Sequence, residues 1–218
     1  MFGIAFITGA IKADRITALT IIVFISLSLF LTAKTPASNF LKRREKSVLY
    51  SMGIFLLPGS FGCLYSALKQ PFLIFLYMPG MILLVLYFVL LRKGFPTLSE
   101  ACGMAIMGLV ASIAASVARG TASFFYLGLM FFSFYLASSF RVRFAVPRFR
   151  MISGIYSGIA LLVSIIMVSA GRLIFLSFLP LTEDVYSSLK GKKESFKSLG
   201  IISTIKAIVF ALLLIVLN

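Results

Sequence analysis

The chain contains no histidine and no tryptophan, and only six acidic residues accompany its twenty-one lysines and arginines. Without histidine it lacks the commonest general base and the commonest metal ligand. The acids are Asp14, Glu45, Glu100, Glu183, Asp184 and Glu194. Only Glu183 and Asp184 are adjacent, and neighbours on a helix point about 100° apart. No paired-carboxylate spacing of the kind that converges on a catalytic ion follows from that pattern. Two cysteines, Cys63 and Cys102, lie in or beside apolar runs and make neither a disulfide framework nor a metal site. Phosphate-cradling glycine loops, nucleophile elbows and zinc signatures are absent as well. The residues therefore argue against an enzyme and call for no cofactor. No basic n-region precedes the first apolar run, so no cleavable signal is expected.

What is present is hydrocarbon. Hydrophobic residues make up 61% of the 218, with a mean hydropathy of +1.09, where a soluble domain is about 45–50% apolar. The excess is gathered into runs of the length needed to cross about 30 Å of bilayer as helix. Helix is the expected form, because every backbone amide must be satisfied inside lipid. Runs such as Met81–Leu86 do not alternate as barrel strands do. We therefore expect an all-α polytopic transmembrane bundle of eight to nine spans, forming one domain over 1–218 and residing in the cell membrane. The formal charge of +15 reads as topology and contact with anionic lipid rather than nucleic-acid binding. Membrane lipids are the expected partners, and no protein partner is indicated.

Nine apolar runs can be numbered. Met1–Ile11 is too short to span alone and suggests a truncated or re-entrant helix. Ile16–Ala33, Val48–Leu68 and Pro71–Leu91 follow, the last two expected as a tight antiparallel hairpin around Lys69 and Gln70. Each of those two carries a Pro-Gly pair near its centre, Pro58-Gly59 and Pro79-Gly80, predicting bends that face the bundle interior. Thr97 or Ser99 should cap the fifth run, Ala101–Ala118, with Glu100 in its first turn. Its small residues predict the most enclosed helix. Thr121–Phe140 is rich in aromatics and reads as lipid-facing or pocket-lining. Met151–Ala170, a short run at Leu173–Leu181, and Gly200–Leu217 complete the set.

Fifteen basic residues fall after even-numbered runs and five after odd-numbered ones, while Lys206 lies inside the last. By the positive-inside rule the even-numbered loops are cytoplasmic, and both termini are expected to face outward. The richest loops bring Lys42, Arg43 and Arg44 to the same face as Arg141, Arg143 and Arg150. Arginine forks bind phosphates bidentately, so these residues form a candidate site for an anionic headgroup or phosphorylated molecule. Intramembrane charges are functional candidates by default. Lys206 could snorkel to the interface or pair with Glu100, expected at the same face.

Two loops carry a family resemblance. Major loops after runs two and six on one side resemble the layout of the UbiA superfamily of membrane prenyltransferases, whose Asp-rich motifs there hold Mg²⁺ and pyrophosphate. Here those loops read Lys34-Thr35-Pro36-Ala37-Ser38-Asn39-Phe40-Leu41-Lys42-Arg43-Arg44 and Ser138-Ser139-Phe140-Arg141-Val142-Arg143, with no Asp. The chain more nearly resembles the YwiC-like family of prokaryotic membrane proteins with a UbiA-like layout. The likeness rests on the Pro36–Arg44 loop, on Ser139-Phe140-Arg141-Val142-Arg143 after an aromatic span, and on Lys197-Ser198-Leu199-Gly200 opening the last run. It covers roughly residues 20 to 217. The chain departs from that pattern in its short first helix and in lacking an N-terminal His-Gly pair. The resemblance implies a fold rather than a reaction. It leaves three functions open: a non-enzymatic protein handling an anionic lipid or phosphorylated molecule, a diverged prenyltransferase, or a small secondary transporter.

Overall fold

A computed structural model describes residues 2–13, 16–43, 46–122, 125–142, 155, 157–162, 173–190 and 196–217. Side chains are included for all of these except 33–43, 46–52, 96–97, 125, 139–142, 173–175, 188 and 196–197. Among the described residues the chain is all-helical. Helices α1 (Phe2–Lys12), α2 (Ala18–Arg43), α3 (Lys46–Lys69), α4 (Leu73–Arg92), α5 (Pro96–Arg119) and α6 (Phe125–Val142) come first. A 3₁₀ segment, Leu173–Leu181, then runs directly into α7 (Thr182–Lys190), and α8 (Phe196–Val216) closes the chain. Among the described residues, three stretches are long and apolar enough to cross a membrane: Leu73–Arg92, Leu98–Arg119 and Ser198–Val216.

α5 is the centre of the bundle, as its small residues predict: 56% of its span is buried, against 17% for α4 and 39% for α8. α1, α4 and α6 pack on it. Close approach needs glycine where backbones meet. A Cβ at Gly9 of α1 would overlap the Ala111 carbonyl oxygen, and one at Gly108 would overlap that of Gly128 on α6. At the same crossing the Gly128 amide donates to the buried Ser112 hydroxyl at 2.9 Å. The bond ties α5 to α6 where their backbones approach most closely. α5 itself ends at Gly120, whose φ of 77° is the left-handed conformation glycine adopts at a helix C-cap.

Several expectations need correction. α3 and α4 are not a tight hairpin: they diverge from the short turn at 70–72, while α2 packs on α3 and α4 on α5. Pro58 is exposed and only Gly59 is buried, against the Ser26 backbone and Phe30 ring of α2. Both prolines lie within continuous helices, because the missing amide removes a single bond from a helix otherwise held by its neighbours. Neither Thr97 nor Ser99 is the N-cap of α5. That position is Phe95, with Pro96 pre-setting the first helical φ. The Ser99 hydroxyl instead donates to the Tyr87 carbonyl of α4 at 3.0 Å, and Glu100 falls beyond the first turn. The aromatics of α6 are core rather than lipid-facing. Phe131, Phe134 and Tyr135 are fully buried with Phe178 and Phe210, because α8 and the 3₁₀ segment cover that face.

α1 spans eleven residues, about 16 Å at helical rise. At its end the Lys12 ammonium donates to the Ile215 carbonyl at 3.2 Å, a cation at the electronegative end of α8. The ends of α1 and α8 therefore lie together and the start of α1 lies away from them.

Candidate functional site

Lys206 is the eleventh of the twenty-one residues of α8, its midpoint, and is 8% exposed. A lysine there cannot extend its stem to either end of the helix and must find its counter-charge locally. It does so on α7. The Lys206 ammonium donates to Asp184 Oδ1 at 2.6 Å and also pairs with Glu183 Oε2. Asp184 is buried, whereas the Glu183 side chain is 46% exposed. The Ser187 hydroxyl, one turn on, donates to the second Glu183 oxygen at 3.0 Å. Lys206 thus neither snorkels nor pairs with Glu100, which is exposed at the start of α5.

The local chain path explains the meeting. Glu183 and Asp184 occupy the first turn of α7, where carboxylates are favoured by the helix dipole. That turn begins where the 3₁₀ segment stops, after Pro180. The Thr182 hydroxyl donates back to the Leu179 carbonyl at 2.7 Å, tying the junction. Nine consecutive 3₁₀ residues are unusual, since the geometry rarely persists beyond about four. The break brings the N-terminus of α7 to mid-height of α8. Two side chains about 100° apart can then straddle one long lysine, which adjacency alone did not reveal.

One flank of the cluster is dry. Phe210, one turn beyond Lys206, stacks on Phe134 at 4.2 Å between ring centroids and meets Phe178 edge-on at 5.2 Å. The Ser203 hydroxyl, one turn before Lys206, has no hydrogen-bond partner, and the same holds for Ser138 on α6. α6 and α8 run antiparallel, and Phe134 meets Phe210. Four residues along each helix, Ser138 therefore comes to the height of Lys206. The arrangement is a buried ammonium between one buried and one half-exposed carboxylate at a helix break, beside hydroxyls able to accept or donate further bonds.

The basic loops are placed only in part. Arg141 lies in the last turn of α6, and Lys42 and Arg43 end α2, with their backbones described and their side chains not. Arg44, Arg143 and Arg150 lie outside the described residues. The alternation of helices sets Arg43, Arg92 and Lys93, and Arg141 at one end of the bundle, where Arg92 and Lys93 are exposed.

A second feature was missed from sequence. Between the α2–α3 and α4–α5 hairpins lies a cavity of about 380 Å³, lined by apolar side chains and by Ser60, Cys63, Tyr77 and Tyr87. The hydroxyl of Tyr77, in its wall, lies 2.7 Å from that of Ser66. Only the Pro-Gly pair at 79–80 hinted at it, through Gly80 in its wall. No family model, curated protein or solved structure matches the chain.

Proposed function

We propose that this chain is a small polytopic carrier of the cell membrane that handles an anionic lipid or a phosphorylated small molecule. The reading keeps the YwiC-like assignment, a UbiA-like layout of eight to nine spans, and cytoplasmic even-numbered loops. The observation that carries it is the Lys206–Asp184–Glu183 cluster at the 3₁₀-to-helix break. Ionisable side chains at mid-span are costly and mark transport pathways, and interrupted helices build substrate sites in secondary transporters. The basic end of the bundle supplies the anion-recruiting face, with Arg141, Arg143 and Lys42–Arg44 at its mouth.

Reconstituted proteoliposomes test the reading. Wild-type protein is expected to exchange fluorescent phosphatidylglycerol across the bilayer or to take up glycerol phosphate. Lys206→Met and Asp184→Asn should abolish that flux, and Glu100→Gln should leave it. Absence of both fluxes from folded wild-type protein overturns the carrier. The alternative of a diverged prenyltransferase needs carboxylates free to hold a metal and pyrophosphate, and Glu183 and Asp184 are engaged by an ammonium. Mg²⁺-dependent binding of an isoprenoid diphosphate would favour that alternative instead.

A further inference from the structure

The cavity between the two hairpins differs from the charge cluster in every chemical respect. It is held by α2, α3, α4 and α5 and is almost wholly apolar. Because α3 and α4 diverge, it is open sideways: Leu64, Ile74, Met78 and Met81 line it and are each at least half exposed. In a spanning bundle that mouth faces hydrocarbon. Its walls run along α4 from Ile74 to Tyr87, about 20 Å at helical rise. One leaflet's share of the bilayer core is about 15 Å. The volume of about 380 Å³ lies at the small end of ligand sites, which run from about 300 to 1,000 Å³. These dimensions suit one extended chain rather than two.

The ends of the cleft are chemically unequal. Toward the 70–72 turn, the Tyr77 hydroxyl in its wall meets that of Ser66. Toward the other end α4 continues past Tyr87 to the exposed Arg92 and Lys93. The end of α2, with Lys42 and Arg43, lies at that same level by helix register. Glu100 near the start of α5 is the one acid among the described side chains there, so cations prevail.

We propose that this cleft binds one acyl chain of an anionic phospholipid, its tail toward Tyr77 and its phosphate toward Arg92 and Lys93. The inference deepens the anionic-lipid part of the proposed function and rests on that part. It names a resident lipid site separate from the Lys206 cluster. The phosphate–guanidinium contact selects the headgroup, and the flexible methionines Met78 and Met81 fit the chain.

Gly80 gives the sharp test. It lines the cleft, and a Cβ built there meets nothing within 4 Å. A leucine would therefore fill the space without displacing backbone and would remove a glycine from a helix interior. The full chain is equilibrated with vesicles of equimolar phosphatidylglycerol and phosphatidylethanolamine with matched chains, then examined by native mass spectrometry. Wild-type protein should retain one phosphatidylglycerol. Gly80→Leu should lower that retention about tenfold, while Gly80→Ala should leave it unchanged. Met81→Phe is the second filler should the leucine variant not fold. Arg92→Gln combined with Lys93→Gln should keep a bound lipid but lose the preference for the anionic one. Lys206→Met should abolish flux and leave retention intact, which separates this site from the carrier reading. Undiminished retention in folded Gly80→Leu and Met81→Phe, equal retention of the two lipids by wild type, or displacement by farnesyl diphosphate would each overturn the proposal.

Discussion

α4 and α8 are both apolar helices of about twenty residues, long enough to cross a bilayer, yet the structure uses them in opposite ways. α4 carries no charge between its ends, buries little of itself, and stands away from α3 so that an apolar cleft opens beside it. α8 carries a lysine at its midpoint and is enclosed by the 3₁₀ segment, α1 and α6. An apolar surface can be left for lipid chains at no electrostatic cost, whereas a mid-helix ammonium forces a partner chain to come to it. The break at Leu173–Leu181 and the start of α7 are the consequence: the chain gives up regular helix to deliver two carboxylates at the required height.

The comparison can be broken most severely at Lys206. Lys206→Met removes the ammonium from buried Asp184 and should destabilise the protein by about 3 kcal/mol, read as a lowered melting midpoint in detergent. Half-exposed Glu183 adds little to that figure. Adding Asp184→Leu to Lys206→Met should recover most of the loss, because an apolar pair replaces a paired charge. Should the double variant melt as low as the single one, the cluster's stability role is not electrostatic.

Next in size is the α5–α6 crossing. Gly108→Ala sets a Cβ against the Gly128 carbonyl and the Phe132 backbone amide, and backbone cannot rotate away. A loss of about 1–3 kcal/mol is expected. Gly62→Ala meets the Ser26 side chain, which can move, and should cost less. Equal melting shifts for the two would contradict that ranking.

Ser112→Ala removes the buried hydroxyl to which the Gly128 amide donates across the α5–α6 crossing and should cost about 1 kcal/mol, the usual scale for one hydrogen bond. Tyr77→Phe removes one hydroxyl contact to Ser66 at the cleft end. Such bonds average about 0.6 kcal/mol in membrane helices, so a melting shift near the limit of detection is expected. A shift as large as that of Lys206→Met would mean that the cleft end, rather than the charge cluster, organises the bundle. Sidedness has its own measurement. Cysteine at Lys69 should be labelled from outside intact cells and cysteine at Lys93 should not, and the reverse pattern would invert the topology.

Legibility differed between the two halves of the site. Lys206 stood out in the sequence because a charge inside an apolar run is costly wherever it packs. Its partners did not, since Asp184 and Glu183 lie some twenty residues earlier behind a stretch whose 3₁₀ geometry has no periodic signature. The Pro-Gly pairs drew attention as bends and both prolines sit inside continuous helices, whereas the change of helix type lies beside Pro180. The cleft was almost invisible, because an apolar residue facing a cavity and one facing lipid look the same in sequence.

By itself the sequence determined helices, their approximate ends, the enclosure of α5 by its small residues, and the burial problem posed by Lys206. These follow from local chemistry: apolar run length, basic flanks, and the cost of charge away from water. Tertiary structure alone decided that α3 and α4 part, that α6 turns its aromatics inward, and that Lys206 meets Asp184 and Glu183 rather than Glu100. Those outcomes depend on which helix faces meet, and many arrangements of apolar helices satisfy the same hydropathy pattern until side-chain shape and charge pairing choose among them.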